Sequence, residues 1–121
     1  MVAFRESRTA KNLLISYAFE SQPTTRYTFF VDQAARDGYI QVAGIFRETA
    51  GQECEHALRF FKFFNGGELE VTASFLTGVV KDTKANLVAA ADLEKYVHSD
   101  LYPGFAKVAR EEGLIRPADV W

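Results

Sequence analysis

A glutamate and a histidine stand three residues apart in a helical pattern, at Glu53 and His56. At this spacing the two side chains project from adjacent turns of one helix face, close enough to bind one metal ion. Glu20 falls within the apolar stripe of an earlier helical pattern, and Glu94 within that of a later one. Because burying an ionised carboxylate is costly, inward glutamates need a cation, a hydrogen-bond network or an altered protonation state. These four residues are the candidate metal ligands.

Each candidate also has a purely structural interpretation. Glu53 and His56 suit an i, i+3 pair on any charged helix. Glu20 suits a capping role or an ion pair with Arg26, and Glu94, with no histidine three residues later, suits a hydrogen-bonded, partly solvated position. However, a Glu-x-x-His on one helix and a lone inward Glu on the preceding helix are half the ligand set of dinuclear carboxylate bundles. Three inward carboxylates therefore favour metal binding.

The first of the helices that must position these ligands runs from Thr9, the predicted N-cap, to Asp37, where Gly38 ends it. Pro23 removes a backbone donor inside this helix, so a kink or local unwinding is expected there. Apolar and ligand residues recur at steps of three and four, which is typical of an inward stripe. The stripe is Leu13, Tyr17, Glu20, Thr24, Tyr27, Val31 and Ala34.

A second helix is predicted from Tyr39 to Phe64, and the brief turn before it indicates an antiparallel hairpin with the first. Its inward stripe is Val42, Phe46, Thr49, Glu53, His56, Phe60 and Phe63. Residues 66–81 then form a long connector with scattered apolar residues. We expect this connector to lie across the bundle as a crossover.

A third helix is predicted to start near Asp82 or Thr83, with Pro103 and Gly104 interrupting it. Its inward face is Leu87, Ala90, Glu94, Val97 and Leu101. The pattern resumes with Phe105, Val108 and Ala109 and stops at Gly113, leaving eight residues, too few for a long fourth helix. The chain is therefore predicted to be one all-α domain, residues 1–121, with three helices and a long crossover.

Composition excludes several functions. The net charge is -2, and Lys and Arg are scattered among Asp and Glu, so no nucleic-acid partner is expected. The one cysteine, Cys54, excludes a disulfide framework and a four-cysteine metal site, and we expect it to be a packing residue. No segment approaches the ~18 apolar residues of a membrane span, and no secretion signal follows Met1. We expect no membrane association and a cytoplasmic location.

Several segments of the chain resemble the rubrerythrin family. AFESQPTTRYTFF, from Ala18 to Phe30, and IFRETAGQECEHALRFFKFF, from Ile45 to Phe64, are similar to ligand-bearing helices of that family. GGELEVTASF, the pair Asn86-Leu87 and LYPGFAKVAREEG, from Leu101 to Gly113, continue the resemblance in the same order. The similarity extends from Thr9 to Gly113 and thus over nearly the whole chain.

This resemblance implies a ferritin-like bundle with a non-haem centre of two iron ions, for which manganese or zinc are alternatives. In the family such a centre reduces hydrogen peroxide or oxidises ferrous iron, in microbes under oxidative stress. Tyr27 and Tyr102 match tyrosines that hydrogen-bond ligand carboxylates, although plain core packing is an alternative for Tyr27. Four residues match ligand positions of the family: Glu20, Glu53, His56 and Glu94.

The chain also departs from the family pattern. Val97 stands where the family has a second glutamate on the third helix. The chain ends before the family's fourth helix, with its Glu-x-x-His, and before any rubredoxin-like domain, so we expect a truncated domain and a separate electron donor such as a rubredoxin. His98 follows Val97 and lies one step off the inward stripe, so we do not expect it to bind metal.

A homodimer would repair the missing helix. Two hairpins related by a two-fold axis would supply Glu20, Glu53 and His56 twice, completing a four-helix ligand set. Alternatively, the chains exchange third helices, and Glu94 joins the site. A second function remains open, in which the chain is a metal-poor relative that acts as a dimeric structural or interaction module.

Overall fold

The computed structural model describes residues 3–121, which fold into helices joined by one long connector, with no strand in that range. The all-α prediction is confirmed. None of the helices in residues 3–121 is long and apolar enough to cross a membrane. The helices are α1 (Arg8–Arg36), α2 (Ile40–Phe61), α3 (Thr83–Tyr96), α4 (Tyr102–Glu111) and the short α5 (Ile115–Ala118), with a 3-10 turn at Phe4–Glu6.

α1 and α2 form the predicted antiparallel hairpin. The N-cap of α1 is Ser7, whose hydroxyl accepts a hydrogen bond from the N–H of Ala10, so the prediction of Thr9 was wrong. Thr9 lies inside the first turn, where its N–H and hydroxyl both donate to the Glu112 carboxylate. At the other end, Gly38 adopts a φ of +87°, which L side chains rarely adopt, and ends the helix as predicted.

Pro23 does not unwind α1, which continues as α-helix from Arg8 to Arg36. Proline deprives only the carbonyl of Phe19 of its N–H partner. On either side, the hydroxyls of Ser21 and Thr24 donate to the carbonyls four residues earlier, at 2.7 and 2.8 Å. Pro23 itself is buried within this continuous helix.

The connector between α2 and α3 follows α1 from its start to its end. Near the start of α1, Arg5 donates to the carbonyls of Gly66 (3.1 Å) and Glu68 (2.7 Å). Further along, Arg26 donates to the carbonyl of Leu76 at 3.0 Å. The predicted crossover is thus observed, held by arginine side chains bonded to its backbone carbonyls.

The third helical segment, α3 and α4, runs antiparallel to α1. Asp82 caps α3 by accepting from the N–H of Ala85. The next residue, Thr83, donates to Asp37 at the end of α1, whereas Glu112, just after α4, accepts from Thr9 at its start. These bonds hold the two ends of the segment beside the two ends of α1.

Pro103 and Gly104 do not interrupt this segment, contrary to the prediction. The chain passes from α3 through one π-helical turn, Val97–Leu101, directly into α4. Pro103 occupies the first turn of α4, where a missing N–H is tolerated. Wide turns of this kind are frequent at functional sites, because they change which residues face inward.

Two apolar clusters pack above and below a polar layer formed by Glu20 and Glu53. The buried residues of one cluster are Tyr27, Phe30, Ala34, Ala43, Phe46 and Ala50. Those of the other are Leu13, Phe60, Leu93, Val97 and Tyr102. The ligand candidates thus lie at mid-height of the bundle.

Three smaller predictions were wrong. α2 ends at Phe61, three residues before Phe64, and a turn follows it. Leu87 is 41% exposed, because Asn86 and Leu93 supply the inward contacts of α3 instead. Cys54 is exposed, so it does not pack in the core of this chain.

Candidate metal centre

Glu20, Glu53 and His56 come together in the middle of the hairpin. Each offers one ligand atom, and these atoms lie within 4.8 Å of one another. Nδ1 of His56 is 3.8 Å from Oε2 of Glu20. Two donors on one ion stand about 3 to 4 Å apart when each bond is about 2 Å long. The three side chains can therefore bind one cation with small adjustments.

Glu94 approaches this group from α3. Oε1 of Glu94 accepts a hydrogen bond of 3.4 Å from the Tyr27 hydroxyl. Its negative charge also contributes to the raised pKa of Glu53. The carboxylates of Glu20 and Glu94 therefore both act on Glu53.

Glu53 is only 5% exposed, and its protonation reflects its neighbours. Burial first, then hydrogen bonding with Glu20 and the charges of Glu20 and Glu94, raise the pKa of Glu53 to about 10. Without a cation, Glu53 is therefore protonated at neutral pH. A divalent cation reverses this preference because it stabilises the ionised form. A cation of this kind fits the donor set, which offers carboxylate oxygens and one imidazole.

Two tyrosines hold the outer glutamates. The buried hydroxyl of Tyr102 donates to Oε1 of Glu20 at 2.8 Å. Burial and the nearby glutamates raise the pKa of Tyr102 and of Tyr27 well above the ordinary value, so both stay protonated as donors. Tyr27 also packs its ring near Phe30, with centroids 5.8 Å apart, and so serves both the core and Glu94. Such bonds fix the orientation of ligand carboxylates.

The ion pair between Glu20 and Arg26, considered from sequence, is not formed. Arg26 donates to carbonyls of the connector, whereas the carboxylate of Glu20 faces Tyr102 and His56. Glu20 is 3% exposed and sits beside another carboxylate. No arginine or lysine ion pair with Glu20 occurs among residues 3–121 at 4.0 Å or less. The arrangement therefore favours a cation over a structural salt bridge.

The contact between His98 and Glu94 was not predicted from the sequence. Nε2 of His98 lies 3.0 Å from Oε2 of Glu94. The i, i+4 spacing of Glu94 and His98 is the signal that could have found it. Val97, by contrast, is 5% exposed and packs in the apolar cluster, as a residue that cannot bind metal should.

The fold and site define a class, the helical bundles that hold a metal centre between carboxylates and histidines. A family model described as rubrerythrin matches residues 11–117. The chain therefore belongs to the rubrerythrin family.

Individual relatives agree. The chain is 50% identical over 121 residues to rubrerythrin of Nitratidesulfovibrio vulgaris, covering 100% of the chain and 63% of that protein. It is 51% identical over 119 residues to rubrerythrin of Porphyromonas gingivalis, covering 98% of the chain and 60% of that protein. Nigerythrin of N. vulgaris is 34% identical over 122 residues, with coverages of 93% and 56%. The chain thus spans roughly 60% of the length of these relatives.

Proposed function

We propose that the chain is an oxidoreductase that holds two non-haem iron ions and uses them to reduce hydrogen peroxide or to oxidise ferrous iron. The observation that carries this proposal is the position of Glu53, buried between two other glutamates and next to His56. Membership of the rubrerythrin family supports the same chemistry. Oxygen and nitrogen donors also suit manganese and zinc, which are the alternative metals.

The residues around such a centre have different roles. When bound, two ferrous ions supply the two electrons that cleave the O–O bond of peroxide. Glu20, Glu53, His56 and Glu94 are the ligands, and Tyr102 and Tyr27 orient two of their carboxylates. The side chain of His56 is 35% exposed, which leaves an approach for a small substrate on its side of the site.

We propose further that the chain is a homodimer. Large apolar side chains are exposed on α2 and α3, including Ile45 (57%), Phe61 (53%) and Val88 (54%), and a second chain packed there would bury them. In a symmetric site made from two hairpins, the hairpin face that carries Glu20 and Glu53 must be free to contact the second chain. That face is covered within one chain, since Tyr102 bonds to Glu20. This favours a centre that includes Glu94.

The partners follow from the chemistry. A peroxide-reducing centre must be re-reduced after each turnover, and a separate electron donor such as a rubredoxin would serve. We place this reaction in the cytoplasm, where iron and thiols are kept reduced.

The test uses protein loaded anaerobically with ferrous iron. Mixing with one equivalent of peroxide per chain should oxidise two iron ions together, and faster than the same amount of iron free in buffer. Ultraviolet and visible absorption measures the rate of oxidation. Glu20→Gln should abolish the fast phase, whereas Glu6→Gln, a remote exposed change, should not. Equal rates for wild type and Glu20→Gln would refute the proposal.

The second candidate function is a metal-poor structural or interaction module. Val97 favours it, because a buried valine occupies a position where the family resemblance expects a glutamate ligand. Under this alternative, protein purified with iron supplied contains no bound iron yet remains folded and dimeric. Elemental analysis combined with sedimentation separates the two functions.

A further inference from the structure

The two outer glutamates of the site have the same types of polar neighbour, although Glu20 is buried and the side chain of Glu94 is 35% exposed. Oε1 of Glu20 accepts from Tyr102, and its Oε2 faces Nδ1 of His56 at 3.8 Å. Oε1 of Glu94 accepts from Tyr27, and its Oε2 faces Nε2 of His98 at 3.0 Å. Each carboxylate therefore has a tyrosine on one oxygen and an imidazole nitrogen on the other. Glu53 interacts with both.

The distance between His98 and Glu94 suits shared coordination. Two ligands bound at about 2.1 Å and at right angles to each other are about 3.0 Å apart. Nε2 of His98 and Oε2 of Glu94 already have this separation.

The orientation of His98 is also supported by its neighbours. Its ring meets the Tyr102 ring edge-on, with centroids 5.7 Å apart and an interplanar angle of 87°. Tyr102 is the same residue that bonds to Glu20. His98 lies in the π-helical turn that leads into Tyr102, so one backbone feature positions both side chains.

We propose that His98 joins Glu94 as a ligand of the second metal ion that such a centre would hold. This inference rests on the proposed function and deepens it, because it assigns His98 as a ligand. It also explains how the second ion is held although Val97 offers no donor.

In the experiment the full chain is titrated with Co²⁺ alone. Equilibrium dialysis measures the number and affinity of bound ions, and proton NMR detects coordinated imidazoles. A coordinated imidazole keeps one exchangeable ring N–H, which paramagnetic Co²⁺ shifts far from other signals. We expect about two ions per chain and two such signals, one from each histidine. His56→Gln and His98→Gln should each remove one signal and lower the affinity for one ion by at least ~10-fold.

Two further variants make the result specific. Lys95→Gln, a neighbouring exposed change on α3, should leave both signals and both affinities unchanged. His98→Asp should restore the second ion without restoring its imidazole signal, because a carboxylate is also a ligand. If His98 only formed a surface ion pair with Glu94, aspartate would repel Glu94 and restore nothing. Far-ultraviolet circular dichroism verifies that each variant is folded.

The outcomes separate the two proposals. If His98→Gln keeps both signals and both affinities, the assignment of His98 is overturned. If wild type binds one ion, with one signal that His56→Gln removes, the assignment is overturned while the Glu20, Glu53 and His56 site stands. If wild type binds no Co²⁺, both proposals fail.

Discussion

The hydroxyl of Tyr102 lies 2.8 Å from Oε1 of Glu20, joining residues 82 positions apart. The Tyr102 ring packs edge-on against Phe60, with centroids 5.5 Å apart, so the hydroxyl is held in place by the core. The first residue of α4 thus orients a candidate ligand on α1. The π-helical turn before Tyr102 determines which side of α4 reaches the site.

Removing this hydroxyl should reduce metal affinity more than it reduces the stability of the fold. We expect Tyr102→Phe to lower metal affinity ~10- to 100-fold, because Glu20 loses the partner that orients it. The free energy of unfolding of the metal-free protein should fall by about 1 kcal/mol. Competitive chelator titration and urea denaturation measure the two effects. Tyr96→Phe, at a 48% exposed tyrosine, is the control, and an equal loss of affinity there would contradict the role of Tyr102.

The metal-free protein should become less stable as the pH rises, because of Glu53. The pKa of Glu53 is about 10 in the folded chain against an ordinary 4.5, so its stabilising contribution is complete below about pH 4.5 and is lost as the pH rises towards 10. Glu53→Gln cannot ionise and should lack this dependence.

Urea denaturation of chelator-treated protein at pH 6 and pH 8 measures the difference. Glu53→Gln should gain about 2 to 3 kcal/mol relative to wild type over this interval. Glu48→Gln, an exposed change on the same helix, should follow wild type. Parallel curves for wild type and Glu53→Gln would show that Glu53 is not held among carboxylates.

Glu112 should stabilise the start of α1, and its contribution to stability should depend on pH in the opposite sense to that of Glu53. Burial alone raises its pKa, but hydrogen bonds from the Thr9 hydroxyl and from the N–H groups of Thr9 and Arg8 outweigh burial and lower it. Its contribution is therefore present above the ordinary pKa of 4.5 and is lost as the pH falls through the lower folded value.

We expect Glu112→Gln to cost about 1 kcal/mol at pH 7 and less at pH 3. The side chain of Glu112 is 8% exposed, whereas that of Glu111 is 52% exposed and forms only a surface pair with Arg8. Glu111→Gln should therefore change stability little. Thermal unfolding at the two pH values measures both variants, and a cost for Glu112→Gln that does not depend on pH would contradict this account.

Val97→Glu should destabilise the metal-free protein by about 3 kcal/mol, since Val97 is buried against apolar residues. If the site holds a cation, adding Co²⁺ should recover part of this loss, because the new carboxylate lies one turn after Glu94. Urea denaturation with and without Co²⁺ measures the recovery. Val97→Thr is the matched control, and an equal effect of Co²⁺ on both variants would argue against a nearby ion.

Much of the fold could be predicted because periodicity reports which helix face is buried. The stripe through Glu20 and the stripe through Glu53 and His56 are both borne out by burial or partial burial of these residues. Gly38 and Asp82 were identifiable as helix boundaries because positive φ and N-cap bonding need particular residue types.

The errors arose where tertiary contacts outweigh local preference. Pro103 reads as a helix breaker, but a preceding π-helical turn brings it into the first turn of a new helix. His98 was set aside because it follows Val97, yet i, i+4 geometry puts it against Glu94. Helical periodicity in the sequence does not reveal that Tyr102 donates a hydrogen bond to Glu20, because that contact depends on how two helices far apart in the chain pack together.

Iron content after anaerobic reconstitution and gel filtration tests the central claim, that converging buried carboxylates bind metal, most directly. Wild type should retain about two iron ions per chain, whereas the double variant Glu20→Gln, Glu53→Gln should retain almost none while keeping its helical circular dichroism. Equal iron content in the two folded proteins, whether high or near zero, would contradict the account.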